Sequence, residues 1–146
     1  MKNALCRITG MLVLALLAAT QAVRAQEPVL VKVPFEFTAG NIALPAGEYR
    51  VQDLRAGSSV LLIQRTDASA SMVVTSIAVS ANGPQDKTKL IFHRYGHRYF
   101  LAQVWRAGES RGRELLKSAK EKEQAIARNE APDQVTIVAR LSPPKP

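Results

Sequence analysis

Cysteine is almost missing: Cys6 is the only one in 146 residues. It stands before the apolar run Met11 to Ala19, whereas a lipid-modified cysteine would follow such a run. Lys2 and Arg7 lead into that run. Val23-Arg24-Ala25 then places small side chains at the two positions a signal peptidase reads. Residues 1–25 therefore read as a secretory signal peptide, cut between Ala25 and Gln26. From residue 26 onward there is no cysteine, which excludes a disulfide, a thiolate metal site and a cysteine nucleophile there.

Long hydrophobic runs are also lacking. Met11 to Ala19 falls short of the roughly 20 residues that a membrane-spanning helix takes. Nothing after it is longer, so the exported chain is expected to hold no transmembrane segment. Recognisable catalytic signatures are scarce as well. There is no phosphate-cradling G-x-x-x-x-G-K, no H-E-x-x-H and no glycine-rich dinucleotide fingerprint, and a G-x-S-x-G nucleophile elbow is read as absent. Asp53, Asp67, Glu36 and Glu48 read as solvated groups on polar faces or in turns. The expectation is a non-enzymatic protein that needs no cofactor and no metal.

What is present is alternation. Val29 to Phe37 sets Val29, Val31, Val33, Phe35 and Phe37 against Lys32, Pro34 and Glu36, the period of a half-buried strand. Pro34 cannot donate to a ladder, which places this strand at a sheet edge. Thr38 to Asn41 and Leu44 to Gly47 read as turns. Glu48 to Leu54 alternates again. Val60 to Ile63 is apolar throughout, as in a central strand covered on both faces. Ser71 to Ser80 is rich in β-branched residues, and Gln134 to Leu141 alternates as a last strand. Arg113 to Arg128 is built mostly of helix formers with a thin apolar stripe. The predicted architecture is one mostly-β domain over residues 26–141. It is an antiparallel sandwich or small barrel of about six or seven strands with a C-terminal helix at 113–129. Residues 142–146 would form a flexible tail.

The segment KLIFHRYGHRYFLAQVW, residues 89–105, holds both histidines and the aromatics Phe92, Tyr95, Tyr99, Phe100 and Trp105. It reads as a core hairpin turning at Tyr95-Gly96. A two-residue loop there pairs Arg94 with His97, and a three-residue loop pairs Arg94 with Arg98. Neither register lets His93 and His97 share a metal.

Charge is unevenly placed. From residue 26 on, 17 basic side chains face 12 acidic ones, and residues 86–128 alone carry 11 basic against 5 acidic. An electrostatic partner should meet this region. The candidate contacts are Arg94, Arg98, Arg106, Arg111, Arg113, Lys117 and Lys120. An anionic envelope surface or another exported protein would suit them. Export sets nucleic acid aside, and the aromatics are committed to the core rather than to base stacking.

The run VKVPFEFTAGNIALPAGEYRVQ, followed by FHRYG and YFLAQVW, resembles a group of small exported proteins of acidobacterial type. The likeness spans nearly all of the chain after residue 25. It implies export and a β-rich fold, and it carries no catalytic residue. The combined expectation is an exported periplasmic or extracellular protein acting by binding or assembly in the cell envelope. The alternative is a β-barrel carrier of a small apolar ligand.

Overall fold

A computed structural model describes residues 27–139. The predicted signal peptide and the predicted tail lie outside these residues. The described chain is mostly β, with ten strands and one helix in the order β1 (Val29–Val33), β2 (Phe37–Ala39), β3 (Ile42–Leu44), β4 (Gly47–Asp53), β5 (Val60–Arg65), β6 (Ser71–Ser80), β7 (Lys89–Tyr95), β8 (Arg98–Trp105), β9 (Arg111–Leu115), α1 (Ala119–Arg128) and β10 (Asp133–Val138). Ten strands replace the six or seven expected. The additions include β2 and β3, three residues each, which overlap or lie between the segments Thr38 to Asn41 and Leu44 to Gly47 read as turns.

The sheet runs β1-β4-β5-β6-β9-β8, after which β8 pairs with both β7 and β2. Strand β2 continues to β3, and β7 continues to β10. β1 is an edge strand, as Pro34 implied, but Pro34 ends the strand instead of interrupting it. Strand β6 changes partner along its length. Ser71 to Thr75 pair with β5, and Ser76 to Ser80 pair with β9. Ser76 sits at that handover. Its amide and its hydroxyl both donate to the Ser59 carbonyl, at 2.7 and 2.9 Å.

Period two decides which side chains go inside. Val29, Val31, Val33, Phe37, Tyr49, Val51, Leu61, Ile63, Met72 and Val74 all belong to one buried cluster. Leu90, Phe92, Leu101, Val104 and Leu115 complete it from the other strands. A single core fed by β1 through β9 requires the sheet to curl over on itself, and some Cα atoms of β1 and β10 come within 8 Å without the strands pairing. Phe37 packs edge-on to Tyr49 and Phe92, with ring centres 5.1 and 5.3 Å apart. Strand β5 is central, paired on both sides, yet only Leu61 and Ile63 are buried while Val60 and Leu62 are half-buried. Its outer face is not covered by a second layer, contrary to the reading of its all-apolar run.

The hairpin turn also differs from both expected registers. Tyr95 pairs with Arg98, so Gly96 and His97 form the loop, with Gly96 at φ +63°. Glycine takes that left-handed conformation without steric cost. His97 is exposed in the turn. A bulge shifts the register between Ile91 and Phe92, so that Leu101 faces Phe92 and Gln103 faces Ile91. The bulge brings Val104 to the core face with Leu101, whereas uninterrupted alternation had placed it opposite.

The helix is shorter than predicted. Residues 111–115 are strand β9, held between β6 and β8, and tertiary pairing overrides their helix-forming composition. Ser118 starts the helix: its hydroxyl accepts from the Glu121 amide at 3.2 Å. Asn129, in the left-handed conformation, ends it by donating to the Ala125 carbonyl.

Candidate functional site

At one end of the core the inward face changes from apolar to charged on β4 and β9, with small side chains between them on β6. On β4 the inward series runs Tyr49, Val51, Asp53. On β6 it runs Met72, Val74, Ser76, Ala78, and on β9 it runs Leu115, Arg113, Arg111. The register confirms the shared face. Asp53 lies opposite the buried Leu61, and Arg113 lies between Ala78 and Val104. Just past β8, Arg106 joins them from a turn in which the Glu109 amide donates to the Arg106 carbonyl. That turn is pinned from outside: the Ala107 amide donates to the Thr88 hydroxyl, and the Gly108 amide donates to the Gln85 carbonyl.

Together these residues wall a cleft of about 610 Å³ with Gly57, Ala78, Gly108 and Ser110 on its rim. The small side chain of Ala78 leaves room where a larger inward residue would fill it. Three arginines, Arg106, Arg111 and Arg113, face two carboxylates, Asp53 and Glu109. Asp53 is the deepest of the charged groups, with a side chain 5% exposed. It had been read as solvated; alternation continued past Val51 turns it inward instead. Arg106 approaches it at 3.8 Å and Arg113 at 3.9 Å. Both separations are ion pairs too long to be hydrogen bonds. Asp53 Oδ1 and Arg106 Nε and Nη2 are shut off from solvent with no hydrogen-bond partner. Buried charged groups left in this state cost stability, on the order of 1–3 kcal/mol each, so they mark a cluster that the protein alone does not complete.

The seven basic residues singled out from sequence do not form one surface. Arg106, Arg111 and Arg113 converge on the cleft. Arg94 and Arg98 lie at the other end of the β7–β8 hairpin, roughly 20–25 Å of extended chain away. Arg94 is engaged there, donating to Asp133 of β10 at 2.7 Å. Lys117 and Lys120 are exposed at the start of α1.

A second polar constellation was missed altogether. Glu121, in the first turn of α1, is 4% exposed. Its Oε1 accepts from the Tyr95 hydroxyl at 3.1 Å and lies 2.8 Å from His93 Nδ1. Tyr95 and Phe100 pack edge-on beside it, on the hairpin face opposite the main core. The spacing Ser118-x-x-Glu121 is that of a capping box, but the glutamate side chain turns to the hairpin. Burial first, then the Glu121 charge and hydrogen bond, push the Tyr95 hydroxyl up to about 12. His93 is thus taken up in docking the helix.

Gly108-Glu109-Ser110-Arg111-Gly112 has the G-x-S-x-G spacing of a serine nucleophile elbow, which corrects the reading that this motif is absent. Its surroundings are wrong for one. An elbow is a sharp strand-to-helix turn, whereas this segment joins strand β8 to strand β9. Both histidines lie toward the far end of the hairpin. Among the described residues, no three His, Cys, Asp or Glu side chains gather as a metal site. Nor is any helix there long and apolar enough to cross a membrane. No family model, curated protein or solved structure matches the chain.

Proposed function

We propose that this is an exported, non-enzymatic binding protein of the cell envelope, periplasmic or extracellular, and that its cleft holds an anionic group of its partner. The observation that carries the proposal is the Asp53–Arg106–Arg113 cluster, where buried guanidinium nitrogens lack acceptors beside an open cleft. Arginine is suited to this role because its planar donors match carboxylate and phosphate oxygens. The sheet is read as a small barrel, incomplete between β1 and β10, with the cleft at its mouth. Barrel mouths are a common place for a ligand site. Export and membership of the resembled acidobacterial group belong to the same proposal, as does the exclusion of nucleic acid.

An apolar carrier is less well supported. Phe37, Tyr49 and Phe92 occupy the centre of the core. None of the residues lining the clefts near Asp53, Pro84 or Glu130 belongs to the core cluster.

The test is calorimetric titration of residues 26–146 with inorganic phosphate and sulfate at low and high salt. Binding that weakens with salt and disappears in folded Arg106→Gln and Arg113→Gln variants is expected. The Arg94→Gln/Arg98→Gln control at the hairpin tip should bind normally. Binding that is absent in the wild type, or that survives both cleft substitutions, rules the site out.

A further inference from the structure

We infer that the cleft selects a phosphoryl group that carries a proton, as hydrogen phosphate or a phosphomonoester, over oxyanions that carry none. This rests on the anion-binding reading above and goes beyond it by naming the ligand class.

The argument starts from Asp53. A site built only to attract anions would present donors, yet the most buried charged group in this one is a carboxylate, which repels them. Its Oδ1 is an acceptor with no donor. Neither arginine supplies one, since both stand too far away for a hydrogen bond. Beside it, Arg106 Nε and Nη2 are donors with no acceptor. Any group that completes both halves, a bridging water included, accepts from guanidinium and donates to carboxylate, and a ligand that displaces such a water has to do the same. A protonated phosphoryl group does this: its P–OH donates to Asp53 Oδ1, and its remaining oxygens accept from Arg106 and Arg113. Sulfate and ionised phosphodiesters have nearly the same tetrahedral shape and no proton to give at neutral pH. They would set an oxygen lone pair against the Asp53 carboxylate, and a site with an unpaired buried polar group discriminates steeply. Entry is feasible because the arginines are held to Asp53 by long ion pairs alone. Moving them aside breaks no hydrogen bond to that carboxylate. Arg111, exposed on the rim, supplies further attraction, and Glu109 opposes it.

The experiment compares inorganic phosphate with sulfate by calorimetry at equal ionic strength, on residues 26–146 and on Asp53→Asn. Phosphate is expected to bind about tenfold or more tighter than sulfate. In Asp53→Asn, whose amide can donate as well as accept, sulfate should gain and the ratio should collapse toward one. A wild-type protein that binds both anions equally keeps the cleft as an anion site and overturns the proton inference. A protein that binds neither overturns the anion reading itself. If Asp53→Asn does not fold, the wild-type comparison is repeated with glycerol phosphate, which keeps a P–OH at mildly acidic pH, against a dialkyl phosphodiester, which has none. Equal affinity for those two overturns the inference. Vesicles of phosphatidic acid and of phosphatidylglycerol identify the source. Preference for phosphatidic acid vesicles over free phosphate assigns a lipid headgroup, equal or better binding of free phosphate assigns a soluble ligand, and preference for phosphatidylglycerol contradicts the inference.

Discussion

Gly112 shows how a single residue can be fixed by its neighbour. A Cβ built there would stand 2.6 Å from a Trp105 ring carbon. The indole lies flat over the strand, and its Nε1 donates to Gln103 Oε1 at 2.9 Å. Gln103 in turn donates to Glu114 at 2.9 Å, so the ring is tied in place and has little freedom to yield. Gly112→Ala is therefore expected to destabilise the fold by about 1–3 kcal/mol, the usual range for overpacking. Thermal unfolding of the variant measures it, and an unchanged melting temperature would show the indole to be movable. Trp105 was read from sequence as part of the hairpin's buried apolar set. It is 7% exposed, but it packs over Gly112 and outside the main cluster. Alternation identified a buried position without revealing which layer covers it.

At the scale of elements, helix α1 depends on one hydrogen-bonded carboxylate. Its own surface offers little to bury: Ile126 is 80% exposed, and Glu121 is the buried residue of the helix. The Tyr95 hydroxyl is raised from 10 to about 12. A folded value above the unfolded one adds stability that is complete below pH 10 and is lost as pH rises through 12. Two units correspond to roughly 2–3 kcal/mol, as an order of magnitude. Denaturant unfolding from pH 8 to 12 should show this fall in the wild type. Tyr95→Phe should lack that component and be weaker at pH 8 by about 1 kcal/mol from the lost hydrogen bond. Parallel pH profiles in the two proteins would remove Tyr95 from the helix contact. The longer strands were mostly legible in the sequence: β4 by its alternation, β6 by its β-branched residues, and the β7–β8 pair by apolar runs on either side of Tyr95-Gly96. Strands β2 and β3 were not, because three residues hold too little of a period to register. Strand β9 was hidden by Arg, Glu and Leu, which favour helix until β6 and β8 capture them. The Glu121 contact was illegible because nothing local to α1 announces a partner on β7.

At the scale of the molecule, sequence located the basic half of the chain but not its division. Arg106, Arg111 and Arg113 act together only because β8 and β9 run side by side. The signal that would have placed Asp53 with them was present: the inward series on β4 and β9 both turn charged at one end. Recognising that coincidence requires knowing which strands are neighbours, and β6–β9 pairing cannot be read from either strand alone.

That same pairing also sets the timing of assembly. β4, β5 and β6 follow one another through short turns, and so do β7 and β8. β6 can meet β9 only across the whole β7–β8 hairpin, while β10 reaches β7 only across β8, β9 and α1. Long loops must lose their freedom before these contacts form, which slows β-rich chains to roughly the millisecond-to-second range. Pulsed amide labelling during refolding should therefore protect Leu61 and Ile63 before Gly112 and Glu114, whose amides face β6, and the reverse order would contradict this sequence of events. The cleft, which needs Asp53 from the early unit and Arg113 from the late one, would be the last part of the molecule to exist.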